Sequence, residues 1–113
     1  MPYIHTQMSL PLSKEGEDKL TRAFGEAVTL LGKSENWLML RFEDGCRMAF
    51  RGKNDAPMCF IGVSMYGNSS SEAADRMTAA LTRAVHEETG IQPDHVYVRY
   101  MSTEAWGWNG SNF

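Results

Sequence analysis

The chain has 113 residues, of which 42% are hydrophobic and 22% charged, with a net charge of −3. That is ordinary composition for one globular domain. The mild negative charge gives no reason to expect a nucleic acid or an anionic membrane as partner, and no stretch is apolar enough over a sufficient length to cross a bilayer.

The start lacks the basic and then apolar regions of a signal peptide, which predicts synthesis in the cytoplasm. Export by a route that needs no signal peptide is the alternative. Neither Cys46 nor Cys59 belongs to a C-x-x-C pair, so both are read as free thiols. His5, His86 and His95 show no ligand spacing, and neither a metal nor a cofactor is expected. A core this small would gain from association.

In chain order, "PYIHTQM" is the first predicted strand. Proline has no N–H for a ladder, and a strand's first residue is one of the few strand positions that tolerates it. Pro2 is therefore an incidental strand starter or, once Met1 is removed, a free secondary amine with a reference pKa of roughly 8. "LSKEGEDKLTRAFGEAVTLLGK" follows with a helical stripe of Leu20, Phe24, Ala27 and Leu31. Ser13 is its predicted N-cap and Gly32 its stop. "WLMLRFE" predicts a second strand. "CRMAF", placed after an Asp-Gly pair, predicts a small hairpin arm. "MCFIGVSMYG" predicts a third long strand.

"SSSEAADRMTAALTRAVHEETG" predicts a second helix with the stripe Ala73, Met77, Leu81, Ala84 and Val85. Ser69 with Glu72 reads as a capping box and Gly90 as the stop. "HVYVRYM" is the last long strand, and "WGWNGSNF" is a further short strand or a tail.

The halves repeat. "GKSENWLMLRF" from Gly32 matches "GIQPDHVYVRY" from Gly90, pairing Leu38 with Val96, Leu40 with Val98, Arg41 with Arg99 and Phe42 with Tyr100. The expected fold is α+β: two β-α-β repeats, about 2–50 and 57–101, in one domain spanning 1–113 with a tail at 102–113. Right-handed crossovers would give a four-stranded mixed sheet with two antiparallel helices on one face. The exposed edges of such a sheet seek a partner or a cover.

Several stretches together resemble the macrophage migration inhibitory factor family of the tautomerase superfamily. They are the Met-Pro start, "LGKSENWLML", "MAFRG", "GVSM", "PDHVYVRY" and the closing G-W-N-x-S-x-F pattern. The likeness covers essentially the whole chain. It implies a homotrimer whose sheets surround a central channel, with an active site at each subunit interface. There Pro2 acts as general base on small aromatic or carboxylate keto/enol substrates.

Physical chemistry agrees with that role for Pro2. Burial and a neighbouring cation both disfavour the protonated amine and lower its pKa, and a base tuned to working pH is what proton transfer at carbon requires. Lys33 is the candidate cation. The resemblance implies that it binds a substrate oxygen; alternatively it is a solvated lysine complementing a helix C-terminus. Ser64 and Met65 would line the pocket, the latter through its backbone N–H, though strand alternation alone accounts for both. Tyr97 would come from the neighbouring subunit, or is simply an aromatic with a wet tip. Trp37, Trp106, Trp108 and Phe113 would form an apolar rim, or merely pack.

Two positions depart from the family pattern. Arg99 stands where the best-known relatives carry asparagine. It is either a bidentate anchor for a carboxylate at the pocket mouth or a surface arginine like Arg41. The C-x-x-C motif of some relatives is absent: Cys59 remains but position 57 is Pro57, so no thiol–disulfide activity is expected.

The expected activity is keto–enol tautomerisation of phenylpyruvate-like substrates. One alternative is a cytokine-like trimer that binds a receptor protein and retains residual tautomerase activity. Another is hydration, decarboxylation or dehalogenation of small unsaturated acids by Pro2 with Arg99.

Overall fold

A computed structural model describes all residues, Met1–Phe113. Strand β1 spans Pro2–Met8, helix α1 Lys14–Ala27, β2 Met39–Glu43, β3 Cys59–Tyr66, helix α2 Ser71–Thr89 and β4 Val96–Thr103. The sheet order is β2-β1-β3-β4. β1 runs parallel to β2, β3 runs parallel to β4, and the central pair β1–β3 is antiparallel. Each helix returns the chain between two parallel strands. Because β1 and β3 oppose each other, α1 and α2 do too. This is the expected four-stranded mixed sheet, and the outer edges of β2 and β4 carry no strand.

The repeat visible in the sequence is a repeat in space. Gly32 and Gly90 both adopt positive φ, at 72° and 79°, where a side chain would be strained. Each is followed by a 3-10 turn, Glu35–Trp37 in one half and Pro93–His95 in the other, and then by a strand. Tyr3 pairs with Met39 as Phe60 pairs with Tyr97.

Helix α1 starts where Ser13 Oγ accepts the Gly16 N–H at 3.0 Å, with Glu15 and Glu17 at the positive end of the dipole. It tightens into a 3-10 turn over Val28–Leu31 before Gly32. Helix α2 is capped by Ser70, whose Oγ accepts the Ala73 N–H at 3.1 Å. The expected cap, Ser69, lies one residue too early. The serine run offers several caps, and only Ser70 is the extended residue immediately before the first helical turn. Glu72 then occupies the second helical position rather than the third that a capping box needs.

Leu20, Phe24, Ala27 and Leu31 meet Ala73, Met77, Leu81 and Val85 over the sheet's Ile4, Met8, Ile61, Val63 and Met65, all buried. Ala84 is only partly buried. Tyr100 fastens β4 to α2, its hydroxyl lying 2.7 Å from Thr78 Oγ1 and donating to the Ala74 carbonyl at 3.0 Å.

Two segments differ from expectation. "CRMAF" forms no strand. Asp44 accepts the Leu12 N–H at 2.7 Å, while the Gly45 and Cys46 N–H groups donate to Leu10 and Met8. These bonds pull the chain past the end of β1 instead of back along β2. Only Phe50 bridges, to Lys53, around Arg51 and Gly52 at positive φ. The C-terminal segment is a two-stranded hairpin, β5 (Gly107–Trp108) with β6 (Ser111–Asn112). It turns at Asn109 and Gly110, both at positive φ, as a type I′ turn requires. No helix is long and apolar enough to cross a membrane.

Candidate active site

Pro2 is buried and lies opposite Met65 in the central ladder. The Tyr66 N–H donates to the Met1 carbonyl at 3.2 Å, so Met1–Tyr66 is a hydrogen-bonded pair. The next pair, Pro2–Met65, is then a non-hydrogen-bonded one. By that alternation the Pro2 nitrogen faces away from β3, toward the side where β2 joins. The β1–β2 ladder begins only at Tyr3–Met39, so no strand residue is paired with Pro2 on that side. A proline costs the sheet nothing at this position.

Lys33 follows Gly32 at the end of the first helical segment. Its Nζ donates to the Tyr66 carbonyl at 2.9 Å and lies over Gly67. The ammonium is thereby fixed at the end of β3 that faces the start of β1. The amine at the chain start feels it. Burial first, and the Lys33 charge second, hold that amine below its ordinary pKa. With Met1 in place this amine belongs to Met1, and the Pro2 nitrogen is a peptide amide.

An aromatic rim gathers at the same end. Trp37, in the 3-10 turn rather than in β2 as its sequence suggested, meets Trp108 edge-on at 5.0 Å between centroids. Phe113 meets Tyr66 edge-on at 5.1 Å. Trp106 is half-buried and accepts the Phe113 N–H at 3.2 Å through its carbonyl, tying the tail closed. Tyr66 was not among the sequence candidates, yet it binds Lys33 through its carbonyl and Phe113 through its ring. The signal was its place directly after Met65 and before Gly67.

The remaining candidates divide: Met65 and Ser64 lie across from the start of β1, whereas Tyr97 and Arg99 lie farther along the sheet. Met65 buries its side chain in the core and offers only backbone. Ser64 faces the helix-free side of the sheet, beside Tyr3. Tyr97 pairs with Phe60, five residues from Met65 along β3, or about 16 Å at strand rise. It is exposed and packs edge-on against Phe50 at 5.3 Å. Arg99 lies on the helix-free face, its guanidinium 5.2 Å above the centroid of the Phe60 ring. Within one protomer neither Tyr97 nor Arg99 joins Pro2, and none of the five principal cavities includes Pro2 or Lys33.

The model of the macrophage migration inhibitory factor family matches residues 1–113. The chain belongs to that family. The mouse (Mus musculus) D-dopachrome decarboxylase is 23% identical over 107 residues, which are 94% of this chain and 90% of that protein. The crystal structure of Leishmania major MIF2 is similar at 33% identity and a TM-score of 0.93, covering 100% of this chain and 97% of that one. A macrophage migration inhibitory factor homologue from Prochlorococcus marinus is similar at 27% identity and a TM-score of 0.89, over 98% of both chains. These relatives place the chain in the tautomerase superfamily, as the residues quoted from its sequence implied.

Proposed function

We propose that the protein is a keto–enol tautomerase acting on small aromatic or carboxylate substrates such as phenylpyruvate, and that Pro2 is its general base. Met1 is removed, which frees the Pro2 nitrogen as a secondary amine. The observation that carries this reading is the position of Lys33 at the start of β1. Burial and a fixed cation nearby both lower the pKa of an amine at the chain start, which favours the uncharged form that can accept a proton.

Pro2 removes a proton from the enol oxygen or the α-carbon and returns it at the other end of the tautomer. Lys33 holds the substrate carboxylate or the developing enolate oxygen, supplying charge where charge forms. The rim of Trp37, Trp108, Phe113 and Tyr66 excludes water and keeps the amine uncharged. We further propose that the site is completed in a homotrimer by Tyr97 of a neighbouring copy. Two open sheet edges and exposed Met39, Tyr97 and Met101 support this assembly.

The test is ketonisation of enol-phenylpyruvate followed by absorbance. The rate should collapse in Pro2→Gly and in a form that retains Met1. An unchanged rate in either would remove Pro2 from the mechanism. A second reading, decarboxylation of a related acid, is favoured by the similarity to D-dopachrome decarboxylase. Release of carbon dioxide from a keto acid faster than its tautomerisation would select it.

A further inference from the structure

The internal repeat reaches beyond the four long strands. Gly32 and Gly90 stand 58 residues apart, and so do two tight turns in the irregular segments. Phe50 pairs with Lys53 around Arg51 and Gly52, and Trp108 pairs with Ser111 around Asn109 and Gly110. All four turn residues have positive φ. Phe50 is therefore the counterpart of Trp108. The rings they meet are counterparts too, because Trp37 and His95 each end the 3-10 turn of their half. Trp108 meets Trp37 at 5.0 Å between centroids and 87°, and Phe50 meets His95 at 5.3 Å and 72°.

The two pairs differ in what they hold. The Trp37–Trp108 pair belongs to the rim near the start of β1. Phe50 makes a further contact, to Tyr97, at 5.3 Å and 85°. Tyr97 is 59% exposed, and Phe50 is the one aromatic ring packed on it. Phe50 is itself fixed. The Arg51 guanidinium lies 4.8 Å from its centroid and 4.0 Å from the Asp94 carboxylate, which lies 2.7 Å from His95 Nδ1. Beside these rings is a cavity of about 160 Å³ whose wall includes Phe50, Met58, Phe60 and Tyr97. Without the Phe50 ring, Tyr97 would have room to turn.

We propose that Phe50 is a positioning residue for Tyr97 and fixes where the Tyr97 hydroxyl stands in the neighbouring copy's site. This rests on the reading that Tyr97 completes that site. The hydroxyl is at the far end of the side chain, so a modest turn about χ1 moves it out of hydrogen-bonding range. A misplacement of about 1 Å can cost about a hundredfold in rate, and a site residue holds its rotamer only where packing locks it. Near-perpendicular packing of two rings is directional, and an aliphatic side chain of similar volume does not reproduce it.

Ketonisation of enol-phenylpyruvate by Phe50→Met, Phe50→Tyr, Tyr97→Phe and the Phe50→Met/Tyr97→Phe double variant tests the proposal. Each variant is first matched to the wild type in native mass and thermal melt. Phe50→Met fills the same space without a ring and should lower kcat/KM about tenfold or more. Phe50→Tyr should restore most of the rate. The acid limb of the pH–rate profile should not move in Phe50→Met, because the contact acts on Tyr97 and not on the base. With Tyr97→Phe already in place, Phe50→Met should cost nothing further, since the hydroxyl it positions is gone. An unchanged rate in Phe50→Met, or the same loss in both backgrounds, overturns the proposal. An unchanged rate in Tyr97→Phe instead overturns the reading of Tyr97, and the proposal with it. If Phe50→Met alters the native mass, a crystal structure of the wild type with a substrate analogue decides. Tyr97 should keep its contact with Phe50 there, and a Tyr97 ring swung away from Phe50 overturns the proposal.

Discussion

The Lys33 ammonium donates to the Tyr66 carbonyl at 2.9 Å, one residue beyond the Met65 that faces Pro2 across the sheet. One hydrogen bond thus joins the end of the first helical segment to the end of β3 and aims a cation at the chain start. Replacing Lys33 by Met should raise the pKa of the N-terminal amine, because a cation that disfavoured its protonated form is gone. The acid limb of the pH–rate profile should move to higher pH, so the rate falls most below neutrality. Burial, the larger cause of the depressed pKa, remains, and the shift should be partial. Loss of the contact to substrate should also lower kcat/KM by about tenfold to a hundredfold. An unmoved acid limb would show that Lys33 does not tune the base.

Thr6 sits at the centre of β1 with its hydroxyl fully buried and without a hydrogen-bond partner. Thr6→Val replaces that hydroxyl with a methyl of similar shape. The variant should be more stable by about 1 kcal/mol, read as a rise of a few degrees in Tm. A lower Tm would mean that the hydroxyl has a partner in the assembled protein.

Tyr100 is the polar tie between sheet and helix. Tyr100→Phe removes its bonds to Thr78 and Ala74 and should cost about 1–3 kcal/mol. Burial raises the Tyr100 pKa above its ordinary value. The native state therefore holds the proton more tightly than the unfolded chain does. This contribution is complete below pH about 10 and is lost as pH rises through the native value. Tm against pH should fall more steeply in the wild type than in Tyr100→Phe above that point. Parallel curves would contradict the assignment.

The two cysteines should separate cleanly in a thiol assay. Burial pushes the Cys59 thiol up to about 12, which leaves almost no thiolate at pH 8. Cys46 is half-buried and should react first. Cys59 should react only at the rate of unfolding, so prompt modification of two thiols per native chain would overturn the assignment.

Much of the fold was legible because its signals are periodic and repeated. Leu20, Phe24, Ala27 and Leu31 declare the buried side of α1 by spacing alone. Gly32 and Gly90 recur at matching places because each half needs a residue at positive φ there. The errors fall where local signals compete. Three consecutive serines offer several caps, and Trp37 belongs to a 3-10 turn although its neighbours read as strand. The hairpin at Asn109-Gly110 carried the strongest short-range turn signal available, but its arms are only two residues long.

The site was legible in part. Pro2 and Lys33 lie 31 positions apart in sequence, and only the β-α-β crossover brings them together. Tyr66 contributes its carbonyl, and a backbone oxygen leaves no trace in side-chain chemistry. Arg99 kept two readings because strand alternation gives its face but not its neighbours.

The most direct measurement is titration of the Pro2 amine by NMR, in protein carrying ¹⁵N-proline and shown by intact mass to have lost Met1. The amine should deprotonate below the ordinary α-amino value of about 8, and the same pKa should govern the acid limb of tautomerase activity. An amine that titrates at or above that value, or a mature chain that keeps Met1, would contradict a catalytic base at Pro2.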